Sequence, residues 1–266
     1  MVLSSAFLPN ALEACDYKPL PPGAIAFGVA KVAFDICPKL VDISMDGKNN
    51  GTANLYNGFW WEKTVPERSQ YSDNPDGSLS ISFNASLATV PRTMVPGALP
   101  LIAGDRRFFV EFEVSLSDNY QDHFPAVWIM PIEHNQRGED SYPPDEAGYE
   151  RWLEIDVDEA GSTPGPMATA ISWFGKWPNY HRLRSNPNLH NEKIDRTERH
   201  RFGAGFDPQN LTISFWYDDN LQYVASGGSV AAVARKQHFY ALIDTWSHGL
   251  NVPYTMNVYR IRALVP

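Results

Sequence analysis

The run Arg151-Trp152-Leu153-Glu154-Ile155-Asp156-Val157-Asp158-Glu159 decides how the rest of the chain is read. A strand sends alternate side chains to opposite faces. Leu153, Ile155 and Val157 then share a face suited to a core, while Trp152, Glu154 and Asp156 share the other. Strict alternation would leave Glu159 on the apolar face, a costly place for a charge. A β-bulge near residues 157–158 turns it back beside Glu154 and Asp156. Three carboxylates on one face repel each other, which raises at least one pKa and lets a protonated acid stand beside an ionised one at neutral pH. Four strand steps span about 13 Å between Cα atoms. Glutamates leaning inward bring their carboxyls to about 5–6 Å, close to the separation used by retaining glycosidases. Aspartate reaches less far, so Glu159 suits the second role better than Asp158. Taken alone, the carboxylates fit an acidic exposed strand edge equally well.

Outward from this run the chain reads as many short strands. Residues 41–63 carry turn signals at Asp46-Gly47 and Asn50-Gly51, then a strand bearing Phe59, Trp60 and Trp61. Leu79, Ile81 and Phe83 alternate, as do residues 106–117, and FPAVWIMP (124–131) is a buried strand. A long polar loop from Glu133 to Glu150 leads into the acidic strand, and loops of that length are often functional. MATAISWFG (167–175) follows, then a basic loop at 176–201, then HRFGAGFD, LTISFWYDD, HFYALIDTW and PYTMNVYRIRAL as closing strands. Residues 24–36 are a strand or a short buried element, and residues 1–23 a surface arm. Little helical periodicity and no visible boundary point to one domain over 1–266, an all-β sandwich or jelly roll.

The 266 residues suffice for a sizeable core. With 31 acidic against 22 basic residues and a net charge of −9, nucleic acid is not an expected partner. No apolar run reaches membrane-spanning length. Cys15 and Cys37 either pair in an oxidising compartment or stay as two thiols, too few for a cysteine-rich scaffold. No signal peptide is evident at the start.

The run E-I-D-V-D-E resembles the E-x-D-x-x-E signature of glycoside hydrolase family 16, the laminarinase, agarase and carrageenase group. FFVEFEVSLSDNYQDHFPAVWIMP is similar to that family's paired strands ending in a Trp-Pro-Ala-Phe-Trp-like block. Pro125, Ala126 and Trp128 match it, and Phe124 and Val127 replace two aromatics. HRFGAGFDPQNLTISFWYDD (200–219) and the two last strands resemble the following family segments in order, so the likeness covers roughly 70–266. It implies a sandwich of two curved antiparallel sheets with the acids in a cleft on the concave face. Glu154 aligns with the nucleophile, Asp156 with the residue that orients it, and Glu159 with the general acid/base. Three departures stand out: Ser172 where members often carry a His, Leu153 in place of the usual Gly, and Asp158 as a fourth acid.

The resemblance implies a retaining endo-β-glycosidase, secreted to an extracellular or periplasmic space and monomeric. Its partner is a polysaccharide, first a β-1,3- or β-1,3/1,4-glucan, second an agar- or carrageenan-type β-galactan or other anionic glycan. A non-catalytic carbohydrate-binding jelly roll and a polysaccharide lyase are the rivals. Trp128, Trp152 and Trp173 suit sugar stacking beside the acids, and the basic segment adds Trp177, His181 and Arg184 as substrate contacts. That segment holds seven Lys and Arg against three acids. His181, His190 and His200 match no zinc spacing. The chemistry requires no cofactor, and structural calcium stays open.

Overall fold

The computed structural model describes residues 19–159, 165–185, 193–247 and 251–266. A short helix, α1 (Pro22–Phe27), precedes β1 (Lys31–Ile36), β2 (Ile43–Ser44), β3 (Leu55–Asn57), β4 (Tyr71–Asp73), β5 (Leu79–Ser82) and β6 (Ser86–Ala88). The middle of the chain supplies β7 (Ile102–Ala103), β8 (Phe108–Leu116), β9 (His123–Pro131), β10 (Glu150–Glu159), β11 (Thr169–Lys176) and β12 (Asn179–Arg184). β13 (His200–Asp207), β14 (Thr212–Tyr217), β15 (Asn220–Ala225), β16 (His238–Ser247) and β17 (Thr255–Val265) complete the set.

Two sheets result. One runs β15-β14-β13-β8-β17-β5-β4, with β1 also on β17; the other runs β12-β11-β10-β9-β16-β6-β3-β2, with β7 also on β16. All pairings are antiparallel except β2 with β3. Consecutive strands pair from β9 to β12 and from β13 to β15, while β8 with β13 and β17, and β16 with β9 and β6, join distant parts of the chain, as in a jelly roll.

Alternation explains how the layers meet. Phe108, Val110, Phe112, Val114 and Leu116 of β8 face Leu153, Ile155 and Val157 of β10, Ile129 of β9, and Ala241 and Ile243 of β16 across one core. The opposite side of β8 carries Glu111 and Glu113. Each is buried but paired, Glu111 with Arg262 and Glu113 with Arg199, both at 2.6 Å. That pairing is what makes burial of a charge tolerable. α1 lies on the same outer face, in a small cluster of Ala24, Val29, Phe109 and Leu264. The glycines of HRFGAGFD make room for it: a Cβ on Gly203 would stand 2.5 Å from Phe109, and one on Gly205 3.0 Å from Phe27.

Four sequence expectations change or resolve here. Residues 24–36 form both candidates, a helix and then a strand. The strand expected at Phe59 ends earlier, at Asn57, because Gly58 takes φ 77° and the Phe59 amide donates to Glu62 Oε2 at 2.8 Å, closing a turn. The first part of the basic segment is a strand, not a loop: Asn179–Arg184 pairs antiparallel with β11 and ends the sheet as β12. Cys37 is disulfide-bonded; Cys15, like residues 1–18 generally, lies outside the described residues.

Candidate active site

β10 lies between β9 and β11, and its register carries the site. Trp152 pairs with Trp173, Glu154 with Ile171, and Asp156 with both Thr169 and Trp128. The ladder to β9 then slips between Asp156 and Asp158, so that Glu159 stands opposite Ala126. This is the β-bulge expected from the placement of Glu159. Leu153, Ile155 and Val157 are in the core between the sheets, and Trp152, Glu154 and Asp156 are on the outer face.

Burial raises all three carboxyls. Glu154 is pushed up to about 7, first by desolvation and then by the charge of Glu159. Glu159 is pushed up to about 6 by desolvation, against the lowering pull of Arg184 and Arg182. Asp156 is held well above the carboxylate range by desolvation and by both glutamates. Glu154 also accepts hydrogen bonds, which pull its pKa down against the effect of burial. Trp173 Nε1 donates to Glu154 Oε2 at 3.0 Å, and protonated Asp156 also donates to Glu154. No side-chain donor reaches Glu159 among the described residues. Taken singly, Glu154 is the weaker acid, but the two glutamates share protons. With one proton left on the pair, an ionised carboxylate stands beside a protonated acid.

The aromatic residues form a stack rather than an open floor. His134 lies flat on Trp152 (centroids 3.6 Å, planes 15° apart), and Trp152 lies parallel to Trp173 (5.6 Å, 10°). Arg182 closes the far side, its guanidinium 5.2 Å over the Trp173 ring. Trp152 is 4% exposed with both faces covered, so in this arrangement it offers no face to a sugar. Its role here is to transmit packing to Trp173, which holds Glu154. At the outer end His134 Nδ1 is 2.8 Å from Asp140 Oδ2. His134, Asp140 and Glu150 place one ligand-type atom each within 4.8 Å of one another, near enough to hold a cation, and Tyr180 donates to Glu150.

The other expected contacts divide by strand parity. Trp128 is half-buried on the acid face, bonds through Nε1 to Asp244 Oδ2 at 2.9 Å, and packs near Phe59 and Trp61. Trp177, at the β11–β12 turn, is 78% exposed. Arg184 pairs with Ile171 in the row of Glu154 and faces the acids. His181 pairs with Phe174 and projects from the opposite face, so a contact at the acids is excluded for it by alternation. Ser172 pairs with Leu153 and shares that hidden face. His200 bonds Asp218 and Tyr217, and His190 lies outside the described residues.

Asp158 is no fourth member of the acid row. It pairs with Val127 on the core side and receives Arg196 (2.7 and 3.2 Å) and the Met167 amide (3.0 Å). Three residues not marked in the sequence join the site instead. Asp244 lies one strand beyond Ala126 from Glu159, fully buried and held well above the carboxylate range by desolvation. Its one available signal was an acid interrupting the apolar alternation of HFYALIDTW. Arg182 follows from Arg184 by parity, and His134 had no signal.

No protein-family model matches the chain, and no curated protein matches it in sequence. Solved structures do match in shape. The laminarinase from Flavobacterium sp. UMI-01 superposes with a TM-score of 0.53 at 13% identity, covering 89% of this chain and 100% of that one. LamAcat from Zobellia galactanivorans gives 0.51 at 16% identity over 91% and 99%. The κ-carrageenase from Pseudoalteromonas carrageenovora gives 0.50 at 11% identity over 79% and 86%. These likenesses establish the fold as a β-sandwich jelly roll.

Proposed function

We propose that the chain is a glycoside hydrolase of the family 16 type, cutting a β-linked polysaccharide internally and with retention of configuration. One observation carries this reading: the bulge after Asp156 sets Glu159 on the face of Glu154 and Asp156 in a buried, proton-sharing cluster. Non-catalytic sugar binding has no use for such a cluster, whose burial costs stability. Glu154 attacks the anomeric carbon while Glu159 gives its proton to the leaving oxygen, forming a glycosyl ester on Glu154. Glu159, now ionised, takes a proton from water as that water attacks the same carbon and frees Glu154. Asp156 and Trp173 hold the Glu154 carboxylate in line. Fold neighbours named for laminarin and κ-carrageenan hydrolysis support a β-linked polymer, and a substrate of that size suits an extracellular setting.

The test is a reducing-end assay on laminarin, lichenan, agarose, κ-carrageenan and porphyran, with Glu154→Gln as control. Cleavage of at least one polymer, lost by at least a thousandfold in the variant and giving the retained anomer by NMR, is expected. Cleavage unaffected by Glu154→Gln, or first product of inverted configuration, rejects the mechanism.

A further inference from the structure

The basic segment 176–201 holds seven lysines and arginines, and the fold spends most of them internally. Lys176 pairs with Glu146 at 3.0 Å, Arg196 with Asp158, Arg199 with Glu113 and Arg201 with Asp219. Arg182 and Arg184 differ. Both are exposed, and neither makes an ion pair or hydrogen bond among the described residues. Both lie on the acid face of β12, the last strand of the sheet, Arg182 in the row of Trp152 and Arg184 in the row of Glu154. Same-face neighbours on a strand stand about 7 Å apart, so the two guanidinium groups form a short cationic wall beside the acids.

We propose that Arg182 and Arg184 form a subsite for an anionic substituent of the glycan, a sulfate ester or a carboxylate. This rests on the glycanase reading of the acids. A chain of net charge −9 repels a polyanion. An anionic sugar is admitted only where a local cation meets its charge. Two guanidinium forks do so with the geometry that sulfate and carboxylate oxygens require. Trp173 holds one fork in place under Arg182, so less freedom is lost on binding. The wall also couples to the chemistry. Both arginines pull the Glu159 carboxyl downward, and an anion neutralising them returns the proton to that acid. An anionic substrate therefore extends activity to higher pH than a neutral one.

The experiment uses native κ-carrageenan, the same polymer chemically desulfated, polymannuronate and laminarin. Binding is read by affinity electrophoresis on the Glu154→Gln protein, so cleavage does not enter. The expected result is at least tenfold tighter binding of native than of desulfated carrageenan at low salt, with the preference shrinking as NaCl is raised. Arg182→Gln with Arg184→Gln brings that ratio near one, each arginine contributing roughly three- to tenfold. Polymannuronate bound in preference to carrageenan identifies a carboxylate rather than a sulfate. Equal binding of native and desulfated polymer, a preference that survives the double substitution, or no binding of either anionic probe overturns the proposal. Failure of the glycanase reading shows separately, as absent cleavage by the wild-type protein.

Discussion

Trp173→Phe is the most informative single substitution. It keeps an aromatic ring between Trp152 and Arg182 but deletes the N–H that donates to Glu154 Oε2 at 3.0 Å. A hydrogen bond to a charged group contributes about 1.5–3 kcal/mol. Trp173 lowers the Glu154 pKa in the native site, so its loss raises that pKa by about 1–2 units at 1.36 kcal/mol per unit. The acidic limb of kcat/KM then moves to higher pH by the same amount, and the rate below the optimum falls about 10- to 150-fold. The assay pairs the pH profile on the most responsive polymer with a carboxyl ¹³C titration of Glu154, which needs no substrate. A profile and a Glu154 titration both unchanged in Trp173→Phe would refute the role given to this hydrogen bond.

Two further outcomes follow from the same electrostatics. Glu154 and Glu159 have folded pKa values of about 7 and about 6, above the ordinary carboxylate value, so the folded state binds more protons and stability declines as pH rises from about 4.5 to 7. Glu154→Gln, fixed neutral, gains about 2 kcal/mol at pH 8 and melts roughly 4–8 °C higher there; calorimetry should find the gain absent near pH 4.5, and a variant that melts no higher at pH 8 contradicts the strained cluster. Arg196→Met leaves Asp158 buried without its cation, which costs about 3–5 kcal/mol in urea unfolding, and a loss under 1 kcal/mol would show that Asp158 is relieved in another way.

Legibility in the sequence tracked locality. The acid strand could be read because strand alternation is a property of neighbouring residues, and one misplaced charge was enough to demand the bulge that the β9–β10 ladder contains. Parity also contained a correction that reading 176–201 as a loop concealed: His181 and Arg184 are an odd number of residues apart and cannot share a strand face, whereas Arg182 and Arg184 must. The strand at Phe59 was misplaced because Gly58 and Glu62 close a turn that apolar content alone does not reveal.

What the sequence determined by itself was the all-β architecture, the core-facing set Leu153, Ile155 and Val157, and the opposite face with Glu154, Asp156 and, through the bulge, Glu159. Only the tertiary structure decided which groups close on that face. His134 arrives from the β9–β10 loop to cover Trp152, Asp244 comes from β16 to meet Trp128, and acids on other strands and loops take up most of the basic segment. Alternation is written residue by residue along one strand, whereas covering a ring or neutralising a charge depends on elements that fold brings together from far apart in the chain.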